Sequence, residues 1–88
     1  MIVTVDEMKN YLRVDDDGDD DLIKNIIGSS EKLCADILRV EELPSQENIK
    51  VAVMYAAAYL YEHREEADHH ALTITLRSLL FGDRKAEF

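Results

Sequence analysis

Six aspartates fall within residues 15–21, and carboxylate oxygens at that density are the hard ligands that calcium takes. The spacing is wrong for a calcium loop. Counting from Asp15, the sixth position is Asp20, where a sharp turn needs glycine, and the twelfth is Ile26, where a bidentate Glu belongs. The run is therefore read as a solvated acidic loop. His63, His69 and His70, with the single Cys34, invite zinc but lack the paired short spacings of structural sites, and adjacent histidines diverge on a helix. His63 falls on the Ile49–Val53–Leu60 side of its segment and is expected at the edge of the core. Glu41–Glu42 and Glu65–Glu66 are adjacent pairs at expected helix ends, where nothing implies the cleft that general acid–base work needs. The three glycines are isolated, so no phosphate-cradling loop is present. No catalytic residue, cofactor or metal ligand is expected, and the chain does not read as an enzyme.

The elements that carry these residues are helical. Thr4 and Glu7 form a capping-box pair, followed by Val5, Met8 and Leu12 at helical spacing, with a stop near Arg13. The second segment is a long amphipathic helix over roughly residues 20–39, capped by Asp19 or Asp20. At ~100° per residue its Leu22, Ile23, Ile26, Ile27, Leu33, Cys34, Ile37 and Leu38 share an arc about 160° wide. Cys34 lies inside that arc, where a thiol behaves as a small, inert hydrophobe. After Pro44, Ser45 is a suitable N-cap for a third helix. From Val51 to Tyr61 that helix carries no charge for eleven residues. A helix apolar all round must be covered all round, and so short a chain can scarcely do that alone. The last segment alternates at Leu72, Ile74 and Leu76 like a strand, while Leu72, Leu76, Leu79 and Leu80 fit a helix. The spacing favours an extended lead-in and a short helix over Thr75 to Phe81, ended by Gly82.

Residues 1–88 thus make one small all-α domain, a bundle of about four helices, two long and two short. The chain is 47% hydrophobic and 33% charged, which excludes a disordered acidic tail. Eleven uncharged residues are too few to span a membrane. One Cys and no signal-peptide pattern point to a reducing compartment. A net charge of −9 repels phosphate, which excludes a conventional DNA- or RNA-binding module. The charge is uneven: residues 1–71 sum to −10 and residues 72–88 to +1. A tail carrying Arg84 and Lys85 suits contact with the acidic body of a neighbour. Met54, Tyr55, Tyr59 and Tyr61 on the third helix have the composition of interface cores.

Three stretches together carry a family likeness. They are Val3-Thr4-Val5-Asp6-Glu7-Met8-Lys9-Asn10-Tyr11-Leu12-Arg13-Val14-Asp15, the acidic loop into Asp21-Leu22-Ile23, and Ala57-Ala58-Tyr59-Leu60-Tyr61-Glu62-His63-Arg64-Glu65. In their order they resemble the tailed-phage head–tail connector family, also described as DNA-packaging or head-completion adaptors, and Leu76-Arg77-Ser78-Leu79-Leu80 is similar to that family's last helix. The resemblance implies a structural virion protein at the head–tail junction, assembled in the host cytoplasm into a homo-oligomeric ring of about a dozen subunits. It implies portal and tail-completion proteins as partners, and DNA as passing cargo without sequence-specific binding. In such a ring Met54, Tyr55, Tyr59, Tyr61, Arg84 and Lys85 are the candidate subunit contacts. Asp15, Asp16, Asp17 and Asp19 are candidates for the lumen or for plain solvent. The competing reading is a small acidic phage-encoded regulator that docks on a basic host protein, and the third is a metal-dependent enzyme or metal-binding module using His63, His69, His70 and nearby acids.

Overall fold

Thr4 and Glu7 close the capping box: the Glu7 N–H donates to Thr4 Oγ1 at 3.1 Å, and the Thr4 N–H donates to Glu7 Oε1 at 2.9 Å. The structure is a computed structural model describing residues 2–63 and 68–81. Helix α1 (Val5–Leu12) ends at Arg13, which turns left-handed at φ 61° and bonds its N–H back to Asn10. An acidic loop leads to α2 (Asp20–Leu38), which ends the same way at Arg39, φ 61°. A cationic side chain at each helix C-terminus suits the dipole. Asp19 is the N-cap of α2 but gives it no side-chain bond; its carboxylate is engaged elsewhere, by Tyr61.

Two expected boundaries are corrected. Helix α3 (Glu47–Glu62) is capped by extended Gln46, not by Ser45, and begins with an acid in its first turn. Helix α4 (His69–Leu80) is helical throughout, with no extended lead-in and no start at Thr75. Asp68 accepts the Ala71 N–H at 3.0 Å and so caps it a turn and a half earlier. The physical reason is burial. Leu72, Leu76 and Leu80 at i, i+4 and i+8 all go into the core as a helix, whereas a lone strand would leave its backbone groups unpaired. The expected stop at Gly82 lies outside the described residues.

Among the described residues there are four helices and no strand. Helix α3 is central and packs on all three others, while α2 also meets α1 and α4. The core joins Val3, Met8, Ile23, Ile27 and Cys34 to the α3 face Ile49, Ala52, Val53, Ala56 and Ala57, and to the three α4 leucines. Three alanines on that face let the neighbouring helices approach closely, since interaxial distance follows the side chains at the contact. Ser30 is buried among these groups without a hydrogen-bond partner, at a cost of about 1–3 kcal/mol.

Charge pairs hold the short α1 in place. The Lys9 ammonium lies 2.8 Å from Asp17 and 2.9 Å from Asp20, with its own side chain only 12% exposed. Asp20 Oδ1 is buried and makes no well-angled hydrogen bond, so this ion pair is what compensates it. Asp17 and then Asp20 raise the Lys9 pKa, and Lys9 in turn lowers that of Asp17. Lys50 on α3 bonds Glu7 on α1, and that bond, with the Thr4 N–H, holds the Glu7 carboxyl below its ordinary value of 4.5.

Two outcomes follow. Leu76→Ala empties a fully buried site and should cost about 2–5 kcal/mol in urea unfolding, far more than the same change at an exposed position. A carboxyl lowered in the fold adds stability that is present above its unfolded value and disappears as pH falls through the folded one. The urea midpoint should therefore decline below about pH 4.5 less steeply in Glu7→Gln than in the unmodified protein, as a pH series of denaturation curves would read.

Candidate interaction surfaces

The two sides of α3 differ in size as well as in burial. Inward lie Ile49, Ala52, Val53, Ala56 and Ala57; outward, at i, i+3, i+4 and i+7, lie Val51, Met54, Tyr55 and Ala58. Val51 is 45% exposed and Tyr55 37% exposed, with Met54 and Ala58 half-buried beside them. The chain thus covers one side of its most apolar helix and leaves on the other a stripe in which Val51 and Tyr55 are exposed while Met54 and Ala58 also pack against the edge of the core.

Tyr59 and Tyr61 are half-buried and have work inside the subunit. The Tyr59 hydroxyl accepts the Asp68 N–H at 3.0 Å, which ties α3 to the cap of α4. The Tyr61 hydroxyl donates to Asp19 Oδ2 at 2.7 Å, joining the end of α3 to the acidic loop. Asp15, Asp16 and Asp17 are exposed, while Asp19 is half-buried under that bond. Only Met54 and Tyr55 of the expected contact residues therefore sit in the outward stripe. Arg84 and Lys85 lie outside the described residues, as do Glu65 and Glu66.

His63 is a correction. It is exposed rather than at the core edge, because α3 ends there: its ring stacks on Tyr59 at a centroid distance of 4.3 Å, with Nδ1 3.0 Å from the Tyr59 carbonyl. The side chain folds back onto the same carbonyl that accepts the His63 backbone N–H at 2.9 Å. His69 and His70 are exposed in the first turn of α4. Among the described residues no three His, Cys, Asp or Glu side chains converge on a metal-sized space. Cys34 is fully buried, and burial, with nearby Glu31 adding to it, pushes its thiol up to about 11.

One surface was not legible in the sequence. A groove of about 620 Å³ runs along α2 and the chain that leaves it. Ile2, Ala35, Val40 and Leu43 supply its apolar lining, with Asp36, Glu41 and Glu42 among its charged groups. Glu31 also lines it and is bound, accepting the Ile2 N–H at 2.8 Å. Gly28 adds no side chain, and a Cβ there would meet no atom within 4 Å. The groove depends on the N-terminal segment crossing α2, a long-range placement without a local signal.

A family model described as Phage gp6-like head-tail connector protein matches residues 2–82. No curated protein and no solved structure matches the chain.

The thiol gives the packing a direct check. At pH 8 a disulfide exchange reagent should label Cys34 at least about a hundredfold more slowly in the folded protein than in 6 M urea; equal rates would mean an accessible thiol.

Proposed function

The chain belongs to the phage gp6-like head-tail connector family, and from that membership we propose that it assembles into a closed ring at the head–tail junction through which DNA passes. The family's members are structural proteins that join phage head to tail, and association with head and tail proteins comes with membership. Among the described residues no helix is long and apolar enough to cross a membrane. The ring, its subunit number of about a dozen and the passage of DNA are the finer reading. The work is mechanical and electrostatic, without a chemical step.

The observation that carries the reading is the outward stripe Val51–Met54–Tyr55–Ala58. An exposed apolar stripe on a well-packed helix marks an interaction surface, and a subunit that buries it against a different face of its neighbour builds a heterologous contact that can close into a ring. Met54 and Tyr55 form its centre, and the half-buried rings of Tyr59 and Tyr61 its margin. The net charge of −9 suits a conduit, because like charge keeps a duplex from adhering to the wall. Asp15, Asp16 and Asp17 are the exposed acids proposed for that wall; Asp19 contributes through its bond to Tyr61.

Light scattering and negative-stain imaging over a concentration series, with and without the phage portal, test the reading. The unmodified protein should form rings alone or on the portal. Tyr55→Asp should abolish them, raising the half-assembly concentration by more than about tenfold, while circular dichroism and the urea midpoint stay nearly unchanged. Tyr55 is a cleaner probe than Tyr59, whose hydroxyl also holds the α3–α4 connection. A monomer that ignores the portal and recovers a basic host protein in a salt-sensitive complex would favour the regulator instead.

A further inference from the structure

The groove along α2 is built by the way that helix ends. Arg39 turns left-handed, and the Arg39 and Val40 N–H groups fold back onto the Asp36 and Ala35 carbonyls at 3.2 and 3.0 Å. This double closure brings the residue after the turn against the last full turn of the helix. Val40 and Ala35 accordingly line the groove together, with Ile2 and Leu43. Alanine is too small to cover its neighbour, and Val40 stays 41% exposed. No described residue of α3 or α4 contributes to the lining, so the groove is a different surface from the Val51–Tyr55 stripe.

Its charge is one-sided. Asp36, Glu41 and Glu42 line it and are exposed, while Glu31 is half-buried and takes the Ile2 N–H. Among the described residues Lys32 is the one cation in the lining. The ion pairs found among them use only Lys9 and Lys50, so Asp36, Glu41 and Glu42 have no cationic partner. The negative end of the α2 dipole falls at the same place, and the last turn carries no basic residue to offset it. The backbone of Glu41, Glu42 and Leu43 makes no hydrogen bond to other described backbone, which leaves donors and acceptors for an incoming chain. The carboxylates do not converge on a metal-sized space.

An aliphatic floor under unpaired carboxylates and a helix C-terminus repels phosphate and other anions and attracts cations. We infer that the α2 groove docks a lysine- or arginine-bearing segment of a different protein. The aliphatic side chains of that segment lie on Ala35, Val40 and Leu43, and its cations meet Asp36, Glu41 and Glu42. The floor gives contact area, and the carboxylates select a basic segment over an acidic one. A second copy of this chain does not supply such a segment. Its one adjacent pair of cations, Arg84–Lys85, is flanked by Asp83 and Glu87. The assignment stands apart from the ring, since it uses none of the stripe.

The test is a selection of displayed random heptapeptides on the immobilised full chain, below its assembly concentration. Recovered sequences should combine Lys or Arg with aliphatic residues. A labelled peptide of their consensus should bind about tenfold more weakly to Glu41→Gln with Glu42→Gln, and similarly to Val40→Ser. These positions are exposed, and circular dichroism should show an unchanged fold. Asp21→Asn with Glu62→Gln is the charge-matched control. Both residues are exposed, Asp21 lies about 22 Å along the helix from Asp36, and Glu62 adjoins Tyr61, which bonds Asp19. That control should change the affinity less than about twofold. Equal losses in both charge variants would mean general attraction to an acidic protein and overturn the inference. So would the absence of binders, a consensus without cations, or indifference to Val40→Ser. Binding that disappears as the protein assembles would make the groove a seam between copies, which also overturns it. Absence of rings with groove binding intact would count against the ring alone.

Discussion

Burial of α3 governs this protein, and it is done with small side chains. The inward face offers three alanines and two larger aliphatics, so α1, α2 and α4 come close to the helix backbone. Close approach gains dispersion contact, but an alanine removes little area from water. Val51 and Tyr55 are the large α3 residues left exposed, while Met54, Tyr59, Leu60 and Tyr61 pack at the edge of the core.

The charges follow a similar economy. An excess of acids cannot pack, yet the loop that holds most of them must be joined to α2 without drifting. A nearly buried lysine on the preceding helix collects two of its carboxylates, and a tyrosine hydroxyl collects a third. The remaining aspartates are left to solvent, so repulsion among them is relieved by water at one side and by Lys9 at the other. The loop keeps a strong negative field while its two ends stay fixed.

What could be read beforehand depended on whether the signal was local. The Thr4–Glu7 cap and the apolar arc of α2 are short-range patterns, and both stand as spaced. The α4 segment was ambiguous because Leu72 to Leu76 satisfies period two and period four alike; only the partners in the core, two helices and no strand, decide it. His63 was misplaced because its angular position counts for nothing once the helix has ended. The bonds Lys9–Asp20 and Tyr61–Asp19 and the α2 groove join residues far apart or on separate elements, and no single segment announces them. The family likeness was carried by the ordered set of motifs, and the family match over residues 2–82 agrees with it. Of the residues expected at a subunit contact, Tyr55 is exposed and Met54 half-buried, while Tyr59 and Tyr61 make hydrogen bonds within their own subunit.

The lone sulfhydryl sits wholly inside, under α3, with its acidity suppressed. Copies of this chain consequently offer one another no sulfur to couple through, and dissolved oxygen finds no thiolate to convert. Any joint made from them does without a disulfide through Cys34.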